Sequence, residues 1–348
     1  MSRRGALLFA AMGVIWGIPY LLIKVADGQV AVPVLVLARV TVGALILVPV
    51  ALAQGEWRPG RRAMLARNWR WLGAYAVIEI AAPWALLSTA EHHLSSSTTG
   101  LLIASVPAIA AVLGWLLSRP GRQVDARRGT RGGADPITPV RAAGIAIGFA
   151  GVALLAGPGA GRGDLLSDAE VLLTAVCYAA GPIIANRKLA QVPSITANAL
   201  CLLLVAVCYA PAAALTWPRA VPSAEVLGAL AALGAICTAA GLVGYFWLIA
   251  EVGAPRATVV TYLNPAVAVA LGAGILGERL TPVIGVSFVL ILAGSVLATR
   301  PAPARDVTSA PAVAGVPATV SFPAGSDPVS SPAAGPGRAR PSDQAHGI

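Results

Sequence analysis

The chain has 348 residues, a formal charge of +10, 57% hydrophobic residues and only 11% charged ones. A soluble domain carries about 25% charged residues, so this composition cannot cover a water-facing surface. A soluble enzyme, a disordered regulator and a disulfide scaffold are excluded, which leaves an integral membrane protein. The positive excess sits in two short segments, Arg58 to Arg70 and Arg119 to Arg141, each between long apolar runs. That is the pattern of cytoplasmic loops, not of a nucleic-acid-binding face. Cys177, Cys201, Cys208 and Cys237 all fall inside apolar runs and read as packing residues, so no metal site and no cofactor is expected.

A membrane-crossing helix needs about 20 apolar residues, and ten runs qualify in chain order. The first, Gly5–Ile23, follows Ser2-Arg3-Arg4 and spans 19 residues. That exceeds the roughly 7–15 of a signal peptide's apolar region, so it reads as a retained helix. Pro33–Ala53, Trp71–Ala90, Leu94–Leu117 and Val140–Ala156 complete a first group of five. Ala169–Ile184, Ile195–Trp217, Val226–Ala250, Thr258–Leu276 and Pro282–Thr299 form a second. Ser167-Asp168-Ala169-Glu170 reads as a capping box for the sixth helix. Thr138-Pro139 and Thr281-Pro282 read as N-cap pairs for the fifth and tenth. Ten crossings put both termini on one side. That side holds 20 Lys and Arg and the other holds 4, with Arg39 inside the second run, so both termini are expected in the cytoplasm. In the tail, 300–348, 31 of 49 residues are Pro, Ala, Gly or Ser, which predicts disorder.

The two groups of five resemble each other. Pro107-Ala108-Ile109-Ala110-Ala111-Val112-Leu113-Gly114 matches Pro265-Ala266-Val267-Ala268-Val269-Ala270-Leu271-Gly272 at five of eight positions. Thr138-Pro139-Val140 matches Thr281-Pro282-Val283, and the third and eighth runs both end in Ala-Glu, at Glu91 and Glu251. An odd number of crossings per half inverts the second half relative to the first. The expected fold is therefore an all-α membrane protein of ten transmembrane helices in two inverted five-helix repeats, 1–157 and 158–299, an arrangement that marks secondary transporters.

Ile15-Trp16-Gly17 with Lys24, Arg39 in the second run, and Leu276-Gly277-Glu278-Arg279-Leu280-Thr281 resemble the EamA type of the drug/metabolite transporter superfamily. The resemblance covers about residues 5–299 and implies two inverted five-helix repeats that carry small metabolites, amino acids or drugs, commonly coupled to protons or to substrate exchange. The first half departs from it. Leu117-Ser118-Arg119-Pro120 stands where the family often repeats Leu-Gly-Glu, which points to a structural role for Glu278, as the repeat match does for Pro107.

Glu79, near the middle of the third run, is the outstanding polar residue. A carboxylate there costs about 2.5–3.5 kcal/mol. It is either a proton or cation site or a protonated carboxyl held in the bundle. Arg39 either pairs with Glu79, holds backbone carbonyls, gates, or anchors a substrate carboxylate. Thr258, Thr261, Tyr262 and Pro265 share a helix face at i, i+3, i+4 and i+7, with Asn264 beside it, and are expected to face the interior. Trp16 and Tyr20 share a face of the first helix, as do Thr238 and Tyr245 with Gly241 on the eighth. They either line a substrate cavity or, for the aromatics, mark the interface.

The residues together predict a secondary transporter of the cytoplasmic membrane, moving a small metabolite such as an amino acid by alternating access. Its partners are that substrate, the lipid bilayer and protons, with no nucleic acid. Export is the favoured direction and multidrug efflux the alternative. A membrane enzyme lacks the acid or His cluster it would need, and a scaffold has no use for buried charge.

Overall fold

The structure is a computed structural model that describes residues 2–54, 59–117, 138–157 and 165–299. The expected disordered tail and the basic connection 119–137 lie outside the described residues. Those residues form helices and no strand. The ten apolar runs appear as α1 (Arg3–Ala26), α2 (Val32–Ala53), α3 (Trp69–Ala90), α4 (Ser96–Leu116), α5 (Pro139–Leu155), α6 (Leu165–Lys188), α7 (Ser194–Leu215), α8 (Ala224–Val252), α9 (Thr258–Gly274) and α10 (Pro282–Ala298). Seven are long and apolar enough to cross a membrane, and α5, α9 and α10 are shorter apolar helices. Large apolar side chains such as Leu45, Val207 and Val289 are exposed on the outside of the bundle, where lipid tails suit them.

Local chemistry sets where the helices start and bend. Thr138 and Thr281 accept hydrogen bonds from Arg141 N and Ile284 N, so both expected N-caps form. The capping box does not open the sixth helix. α6 already begins at Leu165, which puts Asp168 in its first turn, where the helix dipole favours an acid. Five helices are interrupted, α1 among them at Ile18, ahead of Pro19. α3 carries a π segment, Ala76–Ala81, just before Pro83, whose ring excludes the carbonyl of Glu79 four residues back. α8 carries one at Leu233–Ala240, where the Thr238 hydroxyl donates to Leu233 O at 2.9 Å. α4 breaks at Ala104–Ser105 ahead of Pro107, and α9 changes from a tight 3₁₀ turn to α-helix at Leu263, ahead of Pro265.

Much of the packing survives exchange of the two groups of five. α5 packs on α10, α2 on α7 and α4 on α9. Three further sets come as matched pairs: α1 on α8 with α6 on α3, α1 on α9 with α6 on α4, and α2 on α8 with α7 on α3. The match is incomplete, since α4 also packs on α5, α10 and α1, and α2 on α3, without contacts of like extent in the exchanged positions. Glycines let α5 and α10 approach closely. A methyl group at Gly294 would overlap the backbone of Gly148, which cannot swing aside, whereas one at Gly148 has its nearest neighbour at 3.7 Å. Gly294→Ala is expected to lower stability by roughly 1–3 kcal/mol, read from thermal melting in detergent. Gly148→Ala should stay within about 0.5 kcal/mol of the parent. Equal melting of the two variants would contradict this packing.

Candidate functional site

Arg39 of α2 is 6% exposed, deep among apolar side chains. Its guanidinium lies over the Trp84 ring of α3, 3.7 Å from the centroid. Its Nε donates to Thr238 Oγ1 at 3.1 Å, and the α8 π segment turns that hydroxyl toward it. Thr238 spends its own hydrogen on Leu233 O, which leaves its oxygen free to accept. Tyr20 of α1 and Tyr178 of α6 stand within electrostatic reach of Arg39. Stacking and one neutral acceptor hold the cation, and no carboxylate among the described residues lies within ion-pair distance of it.

Glu79 occupies the α3 π segment. Its Oε2 is shut from solvent and has no hydrogen-bond partner. The carboxylate rests on Gly181 of α6, where any side chain would collide with it, just before Pro182. Tyr75, Cys177, Tyr178 and Cys201 surround it. The Arg39–Glu79 ion pair does not form. The guanidinium is committed to Trp84 and Thr238, and Tyr178 lies near both charges.

Other candidates fall into separate groups. Trp16 and Tyr245 meet with ring centroids 4.7 Å apart, and Trp16 covers Gly241, which joins α1 to α8. Tyr20 is buried at 6% exposure, so it is a core residue rather than part of an interfacial belt. The polar face expected on α9 does not point inward as a unit. Thr258–Tyr262 is a 3₁₀ turn with about three residues per turn, so the i, i+4 stacking is lost. Thr258 is exposed, and Thr261 donates to Thr258 O at 2.8 Å. The Tyr262 hydroxyl turns to α10, toward Ser295 O at 3.0 Å and Thr299 Oγ1 at 2.7 Å. Asn264 keeps a buried Oδ1 without a partner, and Pro265 is buried at the start of the α-helical part.

Glu278 has a structural place. Its carboxylate accepts from Ser96 N at 2.7 Å, Ser97 N at 3.0 Å and Ser97 Oγ at 2.5 Å, which caps α4 at its positive end. Pro107 starts the second part of α4. At the same end of the bundle Lys24 binds Asp27 at 3.5 Å, donates to Glu91 O, and donates to Leu94 O at 3.2 Å. His92 bonds Asp27 as well, so the end of α1 is tied to the α3–α4 connection.

Three residues that complete this arrangement escaped the sequence reading. Trp84 and Tyr178 look like ordinary apolar-run aromatics, and only the meeting of α2, α3 and α6 gives them a partner. Glu91 reads as a helix-end acid, yet it is fully buried and neither carboxylate oxygen has a hydrogen-bond partner. Burial holds its carboxyl well above the usual range, with Lys24 opposing.

An aromatic-lined bundle core holding charge outside any ion pair is chemistry suited to binding a solute, and comparison with known proteins points to transport. The inner membrane transporter YedA of Escherichia coli, named as uncharacterized, is 27% identical over 297 residues, covering 83% of this chain and 88% of its own. The proteins of that name in two other strains of the species match equally. One crystal structure of a protein superposes with a TM-score of 0.58 at 19% identity, over 86% of this chain and 97% of that one, which shows a shared fold alone. The model of the EamA-like transporter family matches residues 3–121 and 165–300. The chain is a membrane transporter of the EamA-like transporter family.

Proposed function

We propose that the protein is a ten-helix secondary transporter of two inverted halves, residues 1–157 and 158–299, that exports an amino acid or a related metabolite across the cytoplasmic membrane. One observation carries this reading: Arg39 and Glu79 sit inside apolar helices, unpaired with each other, both within electrostatic reach of Tyr178. Intramembrane charge of this kind is costly and is retained for a substrate or ion path. Arg39 supplies the pole for a carboxylate, Trp84, Tyr20 and Tyr178 line it, and Glu79 carries the coupling proton. A fixed cation at the centre suits an acidic or zwitterionic metabolite and disfavours the hydrophobic cations typical of multidrug efflux.

The inverted repeat is supported by the helix contacts that match on exchange of the two halves, by π segments that begin 157 residues apart at Ala76 and Leu233, and by the interruptions before Pro107 and Pro265. Ten crossings are supported by contacts that join only like ends: Ser2 with Glu251, Asn68 with Gln191, and Gln29 with Ser223. The charge count supports cytoplasmic termini, a sidedness in which Lys24, Glu91 and Glu278 lie at the outer end. In a background without native cysteines, a cysteine at His92 should react with a membrane-impermeant thiol reagent in intact cells. One at Arg62 should be shielded, and the opposite labelling would overturn the orientation. The transport reading is tested by uptake and efflux of an amino-acid and metabolite panel in cells with and without the protein. It expects faster efflux of at least one amino acid, and unchanged fluxes across the panel would count against it.

A further inference from the structure

Glu91 is the most deeply buried acid described in the bundle, at 0% exposure, and both of its carboxylate oxygens lack partners. Lys24 reaches its backbone carbonyl and is further held by Asp27 and Leu94 O, so the nearest ammonium is engaged elsewhere. Arg39 is the complementary case, a buried cation without an anion. The two charges feel one another, and Tyr20 of α1 feels both. The bundle therefore holds a buried guanidinium and a buried carboxyl, each desolvated and neither in an ion pair. Burying such groups without partners is expensive, and a ligand that partners both relieves that cost.

We propose that Glu91 is a substrate-binding residue that takes the ammonium group of a zwitterionic amino acid whose carboxylate lies on Arg39. This inference rests on the amino-acid reading above and adds a residue and a polarity to it. The arriving ammonium replaces the proton that a buried, unpaired carboxyl holds, and that proton leaves to water. The charged and titratable groups facing Glu91 are Lys24, Asp27 and Tyr20 from α1 and its end, Arg39 from α2, and Glu278 from the α9–α10 connection. Of these, Lys24 and Glu278 already have hydrogen-bonded partners, which leaves the Glu91 carboxyl without one.

The test uses the full-length protein in detergent. The twenty proteinogenic amino acids are screened for thermal stabilisation. The tightest binder is then compared with its des-amino acid and its decarboxylated amine in the parent, Glu91→Gln and Arg39→Gln. The parent should prefer the amino acid over both analogues by roughly tenfold to hundredfold, the worth of a hydrogen bond to a charged group. Glu91→Gln should erase the preference over the des-amino acid while still binding that analogue. Arg39→Gln should erase the preference over the amine. Glu91→Asp, which keeps the charge, should retain part of the discrimination, and it serves as the reporter if the Gln variant does not fold. Glu91→Gln weakening both ligands equally, or neither, would overturn the assignment of Glu91 alone. No binding of any amino acid by the parent would overturn the amino-acid reading beneath it.

Discussion

Glu79→Gln is expected to abolish transport driven by a pH gradient, while membrane abundance stays unchanged and substrate exchange survives. The side chain sits at the π segment of α3, with Oε2 shut from solvent and unbonded, against the bare surface of Gly181. Gln keeps the shape, so packing against Gly181 and the nearby Tyr75 and Tyr178 is preserved, but it cannot carry a proton. Among the acids of the described spans, Glu79 alone lies far from either helix end, since Asp168, Glu225 and Glu251 sit in first or last turns and Glu170 in the second turn of α6. Proteoliposomes with an imposed pH gradient give the driven rate, and counterflow of unlabelled for labelled substrate gives the exchange rate. Full gradient-driven activity in the Gln variant would make Glu79 a structural carboxyl.

Arg39→Lys is expected to fail nearly as badly as Arg39→Gln. Lysine keeps the charge, but it has no planar group to lie over Trp84 and no Nε to donate to Thr238, so the cation loses its fixed position. A loss of roughly tenfold to hundredfold in kcat/KM is expected for both variants, the scale of a charged hydrogen bond. Trp84→Phe retains a ring face and should lose less. Since Arg39 has no buried ion-pair partner among the described residues, its removal strands no opposite charge, and protein levels should hold. Lysine restoring full transport would show that position 39 needs only charge.

The helices and their order were legible because a membrane span is a long local signal. The apolar runs, the threonine-proline caps and the Pro107 and Pro265 match needed no tertiary information. Positions on interrupted helices were not legible. A period of 3.6 placed Thr258, Thr261 and Tyr262 on one inward face, but the 3₁₀ turn redirects them, and Tyr262 is spent on α10. Arg39 and Glu79 were visible as intramembrane charge, while their partners came from α3, α6 and α8 and carry no sequence mark of it. Glu91 was hidden for the opposite reason. Its place after the last turn of α3 suggests solvent, but the α3–α4 connection is folded into the bundle beneath Lys24.

The proposed alternating access requires the end of the bundle assigned to the outside to open. At that end α1 is tied to the α3–α4 connection by His92 and Lys24 on Asp27, and by Lys24 on the carbonyls of Glu91 and Leu94. Because the Asp27 and His92 side chains are in hydrogen-bond contact, cysteines at these positions can be bridged by a short, reducible bifunctional thiol reagent. The direct measurement is transport by an Asp27→Cys, His92→Cys double variant in a background without native cysteines, before bridging, after it and after reduction. A moving outer gate predicts transport that stops in the fully linked protein and returns with reductant. Undiminished transport in the linked protein would contradict it.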